Sequence, residues 1–242
     1  MINSLSIVFP VYNESKRLYL AFSNIKKFNL IHSIKKIEYI FVDDGSDDKT
    51  VEIIDKYIIK NLNNKNITYR VIKLKNNNGK GEALKRGVLS SKFSWVLTLD
   101  IDISVSLNQL IIWKNKKYLK KKKKIYFGSR NLKGSKIDYK LYRKILGIFF
   151  NNFISYYFSI VLKDTQCGFK LYESKTAKKI FKKLKDKGFA HDIEIILLAK
   201  KNNFDILELP VKWTHRNNSK LNIFFDTFKM LINLIKIKNK LN

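Results

Sequence analysis

Four short β-rich runs, LSIVF (5–9), IEYIFV (37–42), ITYRVIK (67–73) and SWVLTLD (94–100), recur through the first hundred residues. Between them, residues 16–29, 49–62 and 81–91 carry apolar side chains at helical spacing. Apolar strand runs that alternate with helices specify a βαβα order, an α/β fold and a mostly parallel sheet with helices on both faces. A sheet of that kind binds ligands outside the carboxyl ends of its strands. At 242 residues with 45% hydrophobic content, the chain is sized for one core, and no Pro/Gly-rich linker divides it.

Every strand end in this half is polar in its own way. PVYNES (10–15) follows the first strand, DDGSDDKT (43–50) the second, NNNGKGEA (76–83) the third and DIDIS (100–104) the fourth. The carboxylates of Asp100 and Asp102 leave a strand at i and i+2. They reach one divalent ion if the backbone turns between them, and oxygen ligands suit Mg²⁺ or Mn²⁺. A solvated strand end is the plainer alternative, since Asp is common in turns. The glycines around Lys80 let backbone N–H groups approach an anion ahead of a helix, although the spacing is not that of a nucleotide P-loop. DDGS closes a turn through an Asx bond and leaves a carboxylate for a sugar or base donor group, or else it simply caps the next helix.

The second half is less regular. KIYFGSR (124–130) reads as strand and loop, 141–162 as a long apolar helix, and DTQCGFKLYES (164–174) as a loop entering a short strand. Helices are expected at 174–183 and 191–202, one strand over FDILELPVKW (204–213), and a closing helix over about 222–239.

With 49 Lys+Arg against 20 Asp+Glu the net charge is +29, which attracts nucleic acid, anionic lipid or a phosphorylated substrate alike. The abundance of Lys, Asn and Ile is also what AT-biased coding gives. Convergent acidic loops argue against nucleic acid as the partner. A single cysteine, Cys167, and the lack of a charged-then-apolar leader point to a reducing, cytoplasmic setting.

In order along the chain, FPVYNE, FVDDGS, NGKGEALKRG, LDID and GSR resemble glycosyltransferase family 2, inverting enzymes with a GT-A-type nucleotide-binding sandwich. DTQCGFKLYE, FAHDIEIILLAKK and LPVKW are similar to the dolichyl- and polyprenyl-phosphate members, and most to the dolichyl-phosphate β-glucosyltransferase branch. The resemblance implies that Pro10, Tyr12, Glu14, Asp43 and Asp44 surround the nucleotide and that Lys80 and Arg130 lie near the diphosphate. It also implies that Asp100 and Asp102 hold Mg²⁺ or Mn²⁺. UDP-glucose is the expected donor, GDP-mannose the second choice, and a polyprenyl phosphate the acceptor. Where some polyprenyl-phosphate enzymes place a further polar ligand two residues past the second Asp, this chain has Ser104.

From Ile145 to Leu162 there are 18 residues without a charge, long enough to raise the question of a membrane span. Asn151, Asn152, Ser155 and Ser159 dilute the run, and a crossing would separate motifs that belong to one site. The expected division is a glycosyltransferase domain over 1–220 and a C-terminal basic amphipathic helix over 221–242. In that helix Phe224, Phe228, Leu231 and Ile235 share one face while Lys229, Lys236 and Lys240 occupy another. The same pattern suits a membrane surface, making the protein peripheral, or packing on the domain. Arg143, at the start of the apolar run, is the candidate for the acceptor phosphate. Such a phosphate is already largely anionic at neutral pH and needs no strong base. A hydroxyl acceptor would need one, and Asp192 is the candidate; a structural place at a helix start is its alternative.

Overall fold

A computed structural model describes residues 2–61, 64–120, 122–138, 153–216 and 233. The elements run β1 (Ser4–Val11), α1 (Leu18–Ile31), β2 (Lys36–Asp43), α2 (Thr50–Lys60), β3 (Ile67–Lys73), α3 (Lys80–Ser90) and β4 (Trp95–Thr98). They continue with α4 (Asn108–Asn115), β5 (Ile125–Ser129), β6 (Lys136–Asp138), β7 (Lys170–Glu173), α5 (Ser174–Lys183), α6 (His191–Lys201), β8 (Ile206–Pro210) and β9 (Lys212–Thr214). Seven strands form one sheet in the order β3-β2-β1-β4-β7-β5-β8, while β6 and β9 pair separately. All neighbours in the large sheet are parallel except β7, which runs antiparallel to both β4 and β5.

The period-2 geometry of a strand sorts its side chains onto two cores. Leu5, Ile7, Phe9 and Val11 of β1 join Leu18, Ala21, Ile25 and Phe28 of α1 and Trp113 of α4 on one face. Val8 faces the other way, with Ile40 and Val42 of β2, and meets α3, α5 and α6. Both faces are therefore dry, which is why these strands read as near-continuous apolar runs. Helix α3 comes closest to the sheet at Gly87, where a Cβ would collide with Val8 and stand 2.9 Å from Val42.

Two expectations need correction. The stretch 204–213 is not one strand. It pairs with β5 as far as Pro210, which has no N–H to extend the ladder, and Lys212–Thr214 leave to pair with β6. The apolar run is helical at 153–158 and stops at Ser159, whose φ is +51; residues 141–152 lie outside the described residues. So does the closing helix, apart from Asn233. Elements α4 and β6 were not expected. Among the described residues no helix is long and apolar enough to cross a membrane.

Candidate active site

The loops after β1 and β2 are stitched to one another. Asn13, in left-handed backbone at φ +53, donates its N–H to Ser46 Oγ at 2.8 Å, and its Oδ1 accepts the Asp47 N–H at 3.0 Å. Glu14 N–H reaches Thr50 Oγ1 at 2.7 Å, while the Glu14 carboxylate takes the Arg17 guanidinium, with Nε at 2.6 Å. Pro10 lies within β1 opposite Val42. Tyr12 stands in the open loop, 37% exposed.

Asp43 and Asp44 are both buried. Asp44 accepts the N–H groups of Asn78 at 2.8 Å and Gly79 at 2.7 Å, one on each oxygen. Burial nonetheless outweighs those two bonds and raises its pKa. Asp43 Oδ2 accepts the Ser46 N–H at 3.2 Å, but its Oδ1 is buried with no hydrogen-bond partner among the described residues.

The glycine loop is not the open anion cradle expected of it. Its N–H groups at 78 and 79 belong to Asp44, and those of Gly81 and Glu82 point at the Lys187 carbonyl, at 2.7 and 3.2 Å. A Cβ at Gly79 would strike the Lys187 carbonyl, and one at Gly81 would stand 2.9 Å from the His191 Cβ. These glycines let the 184–190 loop close over the start of α3. What the loop does present is the side chain of Lys80.

Lys80 Nζ lies 2.6 Å from Asp100 Oδ1. Burial would lower the lysine's pKa, but Asp100, Asp192 and Asp102 together raise it, so the ammonium is firmly charged. Asp100 itself follows β4 by two residues, and the chain turns there through Ile103, whose φ of +54 is a strained conformation for a β-branched residue. That turn brings the Ser104 N–H to Asp102 Oδ1 at 2.9 Å. Burial first and the neighbouring Asp100 second raise the Asp102 pKa against the Ser104 bond and Lys80. A carboxylate whose charge is disfavoured by burial and by a second carboxylate beside it makes, with that neighbour, a fitting donor pair for a divalent cation. Among the described residues no cluster of three or more His, Cys, Asp or Glu supplies a fuller cage, so phosphate oxygens and water would complete the coordination.

Arg130 is gripped by Asp164, which accepts the Arg130 backbone N–H at 2.9 Å, Nε at 2.7 Å and Nη2 at 2.8 Å. Burial raises the Asp164 pKa, but the arginine overcomes it and leaves the carboxylate below its ordinary value. Asp192 is buried and pairs with Lys170, itself only 2% exposed, and its Oδ1 stands 3.2 Å from His191 Nε2. Burial pushes the Asp192 pKa up, yet His191, Lys170 and Lys80 pull it far below the carboxylate range. A carboxylate held so strongly in its charged form is a weak base. Sequence reasoning missed Asp164 and Lys170, although both stand in the quoted DTQCGFK segment. Arg143 lies outside the described residues.

An open, mostly parallel sheet that gathers Lys80, Asp100 and Asp102 at its strand ends defines a nucleotide-handling α/β protein. The profile described as "Glycosyl transferase family 2" matches residues 6–181, and the chain belongs to that family. A dolichyl-phosphate beta-glucosyltransferase of Dictyostelium discoideum is 36% identical over 248 residues, covering 97% of this chain and 73% of the relative. The Homo sapiens protein of the same name is 33% identical, covering 97% and 74%. In fold, the chain matches glucosyl-3-phosphoglycerate synthase from Mycobacterium tuberculosis in complex with Mn²⁺ and UDP-glucose. The TM-score is 0.66 at 17% identity, over 97% of this chain and 79% of the other. The same synthase was also crystallised with Mg²⁺ and UDP.

Proposed function

We propose that this glycosyltransferase moves glucose, with inversion, from UDP-glucose to a dolichyl-type polyprenyl phosphate. The observation that carries the choice of acceptor is Asp192: buried, ion-paired and strongly acidic, it suits an acceptor that arrives already ionised rather than a hydroxyl that must lose a proton. The names of relatives that span nearly the whole chain support glucose and dolichyl phosphate.

In this reading a phosphate oxygen of the acceptor attacks the anomeric carbon, the bond from that carbon to the UDP oxygen breaks, and UDP leaves with the electron pair. Tyr12 stacks on the base, and the unpartnered Asp43 Oδ1 accepts a hydrogen bond from base or ribose. Asp100 and Asp102 hold Mg²⁺ or Mn²⁺, which when bound neutralises charge on the leaving diphosphate. Lys80 and Arg130 face the phosphates, Arg130 with its fork fixed by Asp164. Arg143 meets the acceptor phosphate. The 141–162 and 221–242 segments dock peripherally on the cytoplasmic face of a membrane, where lysines near anionic lipid contribute ~1 kcal/mol each.

The test is a transfer assay with UDP-glucose, GDP-mannose and a short polyprenyl phosphate or a glycan acceptor. Glucosylated polyprenyl phosphate and UDP are the expected products from UDP-glucose; faster mannose transfer, or transfer only to a hydroxyl acceptor, overturns the reading. Flotation with anionic liposomes that weakens as salt rises is the outcome expected of the membrane part.

A further inference from the structure

Asp100 already has an occupant. Its Oδ1 holds the Lys80 ammonium at 2.6 Å, and its Oδ2 lies so close to Gly168 that a Cβ there would collide with it. One oxygen therefore faces a cation and the other a backbone wall. Lys80 is not a loose surface group, since its side chain is 24% exposed and the residues on either side of it are pinned. Gly79 N–H is fixed on Asp44 and Gly81 N–H on Lys187 O. A divalent ion needs a carboxylate oxygen at ~2.1 Å and repels an ammonium on the same group. A second carboxylate, Asp192, lines the same pocket as Lys80, Asp100 and Gly168.

We propose that Lys80 is a placeholder cation: it neutralises Asp100 until a nucleoside diphosphate draws the ammonium onto its phosphates and frees Asp100 for the divalent ion. The inference rests on the reading of Asp100 and Asp102 as metal ligands. It makes metal and nucleotide bind with a cooperativity that exceeds their direct bonds to one another. By linkage, each then strengthens the other by the same factor.

The experiment titrates the full chain with Mn²⁺, counting free Mn²⁺ by electron paramagnetic resonance, with and without saturating UDP. Parent, Lys80→Met and Lys80→Gln are compared after thermal melts establish that each is folded, the two replacements guarding against a defect peculiar to one. Without UDP both variants are expected to bind Mn²⁺ roughly 10-fold more tightly than the parent, within the usual range of coupling. With UDP the difference shrinks to less than about threefold, because the parent's lysine has left Asp100. Loss of a bystander charge would tighten Mn²⁺ equally in both conditions; that result, or no change without UDP, overturns the proposal. Asp102→Asn separates the two layers. If the parent binds Mn²⁺ with UDP and Asp102→Asn does not, the metal reading stands whichever way Lys80 behaves. A parent that binds no Mn²⁺ even with UDP removes both.

Discussion

Asp43–Asp44 and Asp100–Asp102 are both acidic pairs at the carboxyl end of a parallel strand, yet they are put to opposite uses. The first pair is buried and spends three of its four oxygens on backbone N–H groups, tying the ends of β2 and β3 together. The second pair takes one backbone N–H, at Asp102, and meets a side-chain cation at Asp100. A carboxylate that satisfies backbone donors builds the loop, whereas one that meets a side-chain cation is the one left to a ligand in the function we propose.

The largest effect that would break this contrast lies at Asp102. Asp102→Asn is expected to lower transfer by ~10²–10³, as loss of a main electrostatic group at a reacting centre does. Its melting temperature should equal or exceed the parent's. The sign follows from the raised pKa: ionising Asp102 at neutral pH costs the folded state stability, and the neutral amide removes that cost. Near-parental turnover would erase the distinction between the pairs.

Asp44→Asn should do the reverse. An amide cannot accept on both sides, so one of the Asn78 and Gly79 N–H groups loses its acceptor, costing ~1–3 kcal/mol of stability. Chemical denaturation measures it, and the rate per folded molecule should fall far less than in Asp102→Asn. An unchanged midpoint with a collapsed rate would move Asp44 into the reactive group.

The smallest effect concerns Asp164, a third kind of carboxylate that serves a side chain. Its folded pKa is depressed by Arg130, so its contribution is present above the unfolded value of ~3.9 and is lost as pH falls below it. Melting curves taken from pH ~5 down to ~2 should show a shallower acid limb in Asp164→Asn than in the parent. Parallel limbs would mean that the Arg130 clamp adds nothing to acid resistance.

The first half of the molecule was legible because its signals are local. ITYRVIK falls on β3 as expected, as do residues 174–183 on α5 in the second half, and the motif loops of the first half converge on one sheet edge. What escaped depends on distant partners. Nothing in the spelling of KLYE says that β7 inserts antiparallel between β4 and β5, since that place is set by chain segments on either side of it. Lys170 reads as one more lysine among 49 basic residues; its burial follows from Asp192, twenty-two positions away. The glycines of NGKGEA signalled a close approach, but sequence cannot tell a phosphate from the Lys187 carbonyl, because both satisfy the same N–H groups.

The position of β7 also governs how the chain comes into being. Synthesis delivers β1 to β4 first, and in the finished sheet β4 is flanked by β1 and by β7. Until Lys170–Glu173 leave the ribosome, one rim of β4 therefore has no native mate, and the nascent half carries an open hydrogen-bonding edge. The half that reads most plainly as a nucleotide-binding unit thus cannot cover its own sheet edge: a ribosome stalled before residue 170 would hold an intermediate with an open strand rim, the kind of species a chaperone shields.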